Sequence, residues 1–284
     1  MKKPQLTFFA HSYWDAIPVL WGMVHFAYLI GMLAAFHYLP WWGNVLTGLF
    51  YAFSISWNVN SVSHNFIHNA YFKSSVLNRA FSLLESITMG FSQTMYDHVH
   101  RQHHIGNNDR IGDNGETVDW ISIYQHGKNG QPESAFKYAF LSFFRDDPKR
   151  IVAGIRRLNP LLAEFAWFEL SVVVLMFIML FLMSWKLVLF FAVFHYLGHS
   201  LTAMNGYYEH YGANPDKPIA WGVSYYNRPF NWLWLYNGYH AEHHYRPKHH
   251  WTKMHELHLQ IVDKQTAEGV KVIAWPQQLG FLAK

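Results

Sequence analysis

The 284-residue sequence contains no cysteine. This absence excludes disulfides, thiolate zinc sites, iron–sulfur clusters and thiolate-ligated haem within the chain. Charged residues are also scarce, at 14% of the chain, against about 25% in typical soluble domains. The net charge of +4 is too small to indicate a nucleic-acid partner. The sequence therefore excludes thiol chemistry and has too few charges for an ordinary soluble protein.

Aromatic residues are abundant where charges are not: the chain has 13 Trp, 17 Tyr and 23 Phe. Trp and Tyr concentrate at membrane–water interfaces, so this composition indicates a membrane protein. The mean hydropathy of −0.05 places only part of the chain in lipid. Four stretches are long and apolar enough to be predicted as transmembrane helices. They cover residues 17–39, 45–63, 161–183 and 187–208.

The distribution of Lys and Arg predicts the orientation of these spans. Two of these basic residues precede the first span, eleven lie between Lys73 and Arg157, and eight follow the fourth span. The two intervening turns carry none and one. We therefore expect an all-α, single-domain membrane protein over residues 1–284, with four helices in two hairpins. Both termini and a helical cap, residues 64–160 and 211–284, would be cytoplasmic. The N-terminal segment has no small-residue cleavage pattern, so we expect no removed signal peptide.

Twenty histidines are present, and eight fall in three clusters with helical spacing. Positions i, i+3 and i+4 share one face of a helix. The clusters are His64 and His68; His100, His103 and His104; and His240, His243 and His244. A ninth candidate, His210, ends the fourth predicted span. One tetrahedral zinc takes four ligands at most, so eight or nine imidazoles predict two metal ions. Imidazole suits zinc, copper, iron and nickel, so ligand type alone does not choose among them.

Several alternatives are weakened by what the clusters lack. The first cluster, His-Asn-Phe-Ile-His, has no glutamate of the His-Glu-x-x-His type, which argues against a zinc metalloprotease. No Asp or Glu has a clear ligand spacing, which argues against a carboxylate-bridged bundle. A histidine-rich metal transporter or sensor would place ligands near mid-span along a pathway. Here the clusters fall on one predicted membrane face.

Other polar residues are candidates for supporting roles. A carboxylate can orient a ligand imidazole by accepting its second N–H, and the candidates are Asp97, Asp109, Asp113, Glu209 and Glu242. Asn205 could hold a metal-bound water, although it lies about 140° from His210 on an ideal helix. His195 and His199, at i and i+4 of the fourth span, are predicted to line a substrate cavity or to be hydrogen-bonded core residues.

The three clusters, HNFIH, HRQHH and HAEHH in that order, resemble the histidine boxes of the membrane fatty acid desaturase and hydroxylase superfamily. The stretch Asn107–Arg110, followed by Asp113, is similar to the Asn/Asp-rich segment of acyl-lipid desaturases. Residues 205–212, NGYYEHYG, resemble integral-membrane alkane hydroxylases. The resemblance covers roughly residues 64–257. In both branches a histidine near position 210 is expected to complete the metal shell.

This resemblance implies an oxidoreductase with two iron ions that activates O2 and removes hydrogen from an unactivated C–H bond. The substrate would be a lipid or hydrocarbon from the bilayer, and the metal centre itself would be the catalyst. A fatty acyl desaturase is the leading expectation and an alkyl or acyl hydroxylase (monooxygenase) the alternative, since both begin with the same abstraction. The chain lacks a fused cytochrome b5 motif. The family therefore implies a separate ferredoxin-, rubredoxin- or cytochrome b5-type donor with its reductase.

Overall fold

The computed structural model describes residues 8–283, and 68% of the chain is helical. In that range no strand forms, and the only strand-like pairings are three isolated bridges. The predicted all-α class is thus confirmed for the described residues. The α-helices are α1 (Ala16–Ala35), α2 (Trp41–Asn58), α3 (His64–His68), α4 (Ser75–Met89), α5 (Gln93–Gly106), α6 (Ala135–Leu141), α7 (Pro148–Leu158), α8 (Pro160–Met183), α9 (Trp185–His210), α10 (Arg228–Leu233), α11 (His240–Tyr245) and α12 (Met254–Ala267).

Three helical segments among the described residues are long and apolar enough to cross a membrane. They are Tyr13–Ala35, Pro160–Met183 and Trp185–His210, with 23, 24 and 26 residues, against about 20 needed to span a bilayer. They cover the predicted spans 17–39, 161–183 and 187–208 to within a few residues. Much of their surface is apolar and exposed, as lipid-facing helices require.

The predicted span at 45–63 has a different character. It forms α2 and then a π-helix, Val59–Ser63. The 18-residue α2 buries polar side chains, among them Asn44, Ser54 and Asn58. This helix is not among the described helices that are long and apolar enough to cross a membrane, so a fourth span stays a prediction. The predicted cytoplasmic N-terminus, with Lys2 and Lys3, and the last residue, Lys284, lie outside the described residues.

The chain divides into two compact units, which we describe separately. Unit 1 comprises Met1–Tyr96 and Pro148–Gly198, and unit 2 comprises Asp97–Asp147 and His199–Lys284. The expectation of one domain stays a prediction. Unit 1 has an apolar core from α1, α2, α4 and α9, formed by Leu29, Tyr51, Ala52, Ile55, Val59, Met89, Phe191 and Phe194. Gly198 permits close packing here, because a Cβ at that position would lie 2.8 Å from Ile55 Cβ.

Unit 1 also buries a carboxylate on α8. Glu169 is fully buried and accepts hydrogen bonds from Ser82 Oγ at 2.5 Å, Ser92 Oγ at 2.6 Å and the Thr94 backbone N–H at 3.0 Å. A carboxylate in an apolar bundle is costly unless donors surround it. Glu169 therefore ties α8 to α4 and to the turn that begins α5.

A second set of buried polar side chains surrounds the π-helix Val59–Ser63. Ser63 Oγ lies 3.2 Å from both Asn58 Oδ1 and Glu85 Oε2. His25 of α1 contacts Asn58 through Nδ1 at 3.0 Å and Ser54 through Nε2 at 2.8 Å. Burial raises the pKa of Glu85 to about 7, although hydrogen bonds from Asn58 and Ser63 oppose the shift. These contacts fix the π-helix that lies between the end of α2 and His64.

Unit 2 is assembled from short helices and loops around two aromatic clusters. One contains Ile123, Tyr124, Tyr138 and Tyr207, and the other contains Tyr239, Met254 and Leu257. Glu133 connects its parts: Arg145 donates two hydrogen bonds to it at 2.7 and 2.9 Å, and its backbone carbonyl accepts one from Tyr207 Oη at 2.7 Å. With so few long helices, side-chain bonds to loops hold this unit's geometry.

Candidate metal centre

The second and third histidine boxes and His210 all belong to unit 2. His100, His103 and His104 lie in the last two turns of α5, one helix of 14 residues. His240, His243 and His244 lie in α11, a helix of only six residues. His210 is the last residue of α9. Helical spacing thus directs the imidazoles of each box together, and the fold of unit 2 decides how the boxes meet.

One group consists of four buried histidines, His103, His210, His240 and His244. Their nearest ring nitrogens lie within 4.8 Å of one another. His103 Nε2 is 3.2 Å from His244 Nε2, and His240 Nε2 is 3.1 Å from His210 Nε2. Four Nε2 atoms from three helices therefore point at one small volume.

A neighbouring group in unit 2 consists of His100, His104 and His243. His104 Nε2 lies 3.0 Å from His100 Nε2 and 3.0 Å from His243 Nε2. The rings of His104 and His244, one from each group, stack with centroids 4.3 Å apart. The second and third boxes therefore each contribute to both groups.

The opposite nitrogen, Nδ1, of each histidine in the four-membered group faces an oxygen. His103 Nδ1 lies 2.7 Å from Asp119 Oδ2, and His244 Nδ1 lies 2.8 Å from Asn107 Oδ1. His210 Nδ1 is 3.0 Å from the Trp221 carbonyl, and His240 Nδ1 is 3.5 Å from Glu209 Oε1. An oxygen at Nδ1 keeps the proton there and leaves the Nε2 lone pair directed inward.

The loop after α5 is shaped to bring Asn107 and Asp119 to these rings. Asn107 and Asn108 have φ angles of 50° and 60°, a left-handed conformation that asparagine tolerates better than most residues. Asp109 accepts hydrogen bonds from the backbone N–H groups of Val118 and Asp119 at 2.8 and 2.9 Å. Gly106 allows the close approach, since a Cβ there would lie 2.6 Å from Asp119 Cβ.

Glu242 lies between the histidines of α11 but faces away from them. Its carboxylate accepts hydrogen bonds from Ser224 Oγ at 2.9 Å and Tyr226 Oη at 2.8 Å, and lies 2.6 Å from His258 Nδ1. Burial and the charge of Glu242 raise the pKa of Tyr226. Ser224 Oγ also accepts the Ala241 backbone N–H at 3.1 Å. Glu242 therefore anchors α11 to its surroundings.

The remaining predicted residues lie in varied settings. Asp97 accepts a hydrogen bond from Arg101 at 2.7 Å, and Asp113 is exposed in the loop. Asn205 is fully buried one helical turn before Glu209. His199 of unit 2 packs on Phe143, with ring centroids 5.3 Å apart. In unit 1, His195 stacks on Phe191.

The first box lies in unit 1. His64 and His68 are the first and last residues of α3, and their ring centroids are 5.1 Å apart. An i, i+4 pair on one turn directs both rings to the same side. The π-helix directly before α3 sets the direction in which that side faces.

The donor set fits a metal ion. Metal–imidazole bonds of about 2.0–2.1 Å place two ligand nitrogens of one ion about 3–4 Å apart, and the Nε2 pairs above lie at 3.0–3.2 Å. The pKa of His244 lies well below its usual range, first because the ring is buried and then because it neighbours His104, His240, His210 and His103. It is therefore neutral at pH 7, as a metal ligand must be. Among the described residues, the candidate donor groups contain only histidine.

Three of these contacts were not predicted from the sequence: Asp119, Asn107 and the Trp221 carbonyl. Asn107 lies within the Asn/Asp-rich stretch, but no spacing rule connects that stretch to His244. Asp119 lies 16 residues after the imidazole it contacts, and a main-chain carbonyl leaves no trace in a sequence.

Comparison with known proteins gives one match. A family model described as fatty acid desaturase matches residues 37–275, which is most of the chain and includes all three boxes and His210. Neither the curated proteins nor the solved structures compared with the chain gave a match.

Proposed function

Because this chain belongs to the fatty acid desaturase family, which makes it a membrane oxidoreductase acting on lipid substrates, we propose that it is an O2-dependent, non-haem di-iron enzyme. Its reaction would begin at an unactivated C–H bond, and a fatty acyl desaturase is the best-supported assignment. The observation that carries the proposal is the convergence of seven imidazoles in unit 2 without a carboxylate donor.

We assign nine histidines as iron ligands. His103, His210, His240 and His244 would hold one ion. His100, His104 and His243 would hold the second, with His64 and His68 of the first box completing its shell. The support for the last two is their i, i+4 spacing, their place as the first of three boxes, and the three-nitrogen group that needs further ligands.

Bound iron would supply O2 activation and removal of hydrogen from the substrate chain. The protein's own residues would keep the ligands neutral and oriented. Asp119, Asn107 and the Trp221 carbonyl would accept the Nδ1 protons of their histidines. Glu209 lies 3.5 Å from His240 Nδ1, and Glu242 holds α11 in place. The four-membered group is buried, as are His100 and His243, while His104 is half-buried; this burial would limit water in the reaction volume.

The membrane arrangement is part of the proposal. Four spans in two hairpins, with both termini and the boxes in the cytoplasm, are supported by the three apolar helices and by the Lys and Arg distribution. The substrate would enter from the bilayer, with His195 and His199 near its path. Electrons would come from a separate ferredoxin-, rubredoxin- or cytochrome b5-type protein, since the chain has no cysteine for a cluster of its own.

Hydroxylation is the second candidate, favoured by the stretch NGYYEHYG at residues 205–212. Lipid and hydrocarbon profiling of cells with and without the protein separates the two reactions by product mass. Loss of two hydrogens supports a desaturase, and gain of one oxygen refutes it in favour of a hydroxylase. A His240→Ala variant should form neither product, and His126→Ala, which alters an exposed histidine outside both groups, should match the wild type.

Metal analysis of the purified protein tests the cofactor. We expect about two irons per chain and loss of metal in His103→Ala. Tightly held zinc, or activity that needs no metal, would refute the iron assignment. Metal binding with no change to any lipid or hydrocarbon would instead favour a metal transporter or sensor.

A further inference from the structure

The helix α7 carries a basic surface directly before the membrane helix α8. One side of α7 is apolar and buried through Ile151, Val152 and Ile155. The other side is exposed and bears Lys149, Arg150, Arg156 and Arg157. No acidic residue occurs between Asp147 and Glu164. An amphipathic, basic helix joined to a membrane span is typical of a segment that lies in the interface plane.

A groove of roughly 380 Å³ opens where α7 packs against the first turns of α8. Lys149, Arg156 and Arg157 line it with positive charge, and Val152, Ala153 and Trp167 line it with apolar surface. This volume falls within the range of small-molecule sites, about 300–1,000 Å³. The lining thus suits a ligand that is anionic at one end and apolar at the other.

Two of the groove's cations, Arg156 and Arg157, have exposed side chains. Arg156 donates to Glu164 at 2.8 Å, but both side chains are more than half exposed, and such surface pairs contribute little. The guanidinium keeps further donors for a phosphate, which arginine binds well. Beyond Trp167, α8 exposes the apolar side chains of Phe168, Leu175 and Leu182.

We propose that this groove binds the phosphate of an anionic phospholipid, with its acyl chains along the exposed face of α8. Four Lys and Arg residues beside a membrane helix attract anionic lipid electrostatically, and the groove gives this attraction a defined position. The proposal rests on membrane insertion of α8 and is independent of the metal chemistry.

The test measures lipid retention by the full chain, purified in detergent and analysed by native mass spectrometry after exposure to phosphatidylglycerol or phosphatidylcholine with the same acyl chains. The wild type should retain phosphatidylglycerol about tenfold more than phosphatidylcholine. Ala153→Trp fills the groove without changing charge and should abolish this preference. Ala267→Trp, at an exposed position on α12, should preserve it.

A second comparison separates a site from general charge attraction. Removing three charges in the groove (K149Q/R156Q/R157Q) should remove the preference, whereas removing three exposed charges from unit 2 (K248Q/K253Q/K264Q) should not. Equal losses in both triple variants, or an unaffected Ala153→Trp variant, would overturn the proposal. Displacement of the lipid by millimolar inorganic phosphate alone would indicate a free-phosphate site. If the groove variant K149Q/R156Q/R157Q retains lipid unchanged but is reduced more slowly by the electron donor, the groove is a protein-docking surface. Either result would also overturn the proposal.

Discussion

Three of the four imidazoles in the four-membered group are oriented at Nδ1 by three different groups: a carboxylate, an amide and a main-chain carbonyl. The fourth, His240, lies 3.5 Å from the Glu209 carboxylate. The shortest of these contacts joins His103 to Asp119 at 2.7 Å, and both side chains are buried. Asp119 is in turn fixed by Asp109 through its backbone N–H. The proposed ligand His103 is therefore supported by Asp119, and Asp119 is supported in turn by Asp109.

Asp119→Asn should weaken iron binding by about 10–100-fold, the usual cost of losing a carboxylate that orients a ligand histidine. The amide can present its N–H to His103 Nδ1 and so favour the wrong tautomer. Iron titration of the purified protein against a competing chelator measures the effect. Asp113→Asn, an exposed change in the same loop, is the control. Equal iron affinity in the two variants would show that Asp119 has no orienting role.

Glu85→Gln tests the buried carboxyl beside the π-helix. Burial raises the pKa of Glu85 from 4.5 to about 7, so between these values the folded protein keeps a proton that the unfolded chain has lost. Wild-type stability should therefore fall as pH rises through this window, and the variant, which cannot ionise, should escape the loss. Between pH 4.5 and pH 8, the difference in free energy of unfolding between variant and wild type should shift in favour of the variant by up to about 3 kcal/mol.

Unfolding in detergent, followed at several pH values, measures this difference. Glu116→Gln, which removes an exposed carboxyl, is the control and should not show the gain. A constant difference between Glu85→Gln and wild type across pH 4.5–8 would mean that Glu85 is already ionised in the folded protein.

At the scale of elements, the π-helix Val59–Ser63 is the least expected feature. Such segments are rare and often mark functional sites. Compared with an α-helix, its wider turn changes the direction of every residue that follows, including His64 and His68. Its buried contacts with Asn58, Glu85 and Gln93 stabilise the wider turn.

Replacing both histidines of the first box (H64A/H68A) tests the residues that the π-helix positions. If His64 and His68 are ligands of one iron, the iron content should fall from about two to about one per chain. His126→Ala, at an exposed position, should leave it near two. Two irons in the double variant would exclude the first box from the metal site.

At the scale of the whole molecule, the missing cysteines make the topology directly testable. Single cysteines replacing Asp113 or Glu256 should react with a membrane-impermeant maleimide only in inside-out vesicles. Cysteines replacing Tyr38, in the turn that follows α1 in the structure, or Ser184, between the third and fourth predicted spans, should react only in intact cells. Tyr38 is 89% exposed, so access does not limit its labelling. Labelling of Asp113 and Tyr38 replacements from the same side would refute the four-span arrangement.

The sequence by itself determined the helical class, three helices long and apolar enough to cross a membrane, the family and the spacing that places histidines on common helical faces. These features depend on local periodicity and composition, which a sequence displays directly. The tertiary structure decided which imidazoles of unit 2 share a group, how Asp119 and Asn107 reach Nδ1 atoms, and that α2 ends in a π-helix. These outcomes depend on loop paths and on buried hydrogen bonds between residues distant in the chain, so no local pattern could specify them.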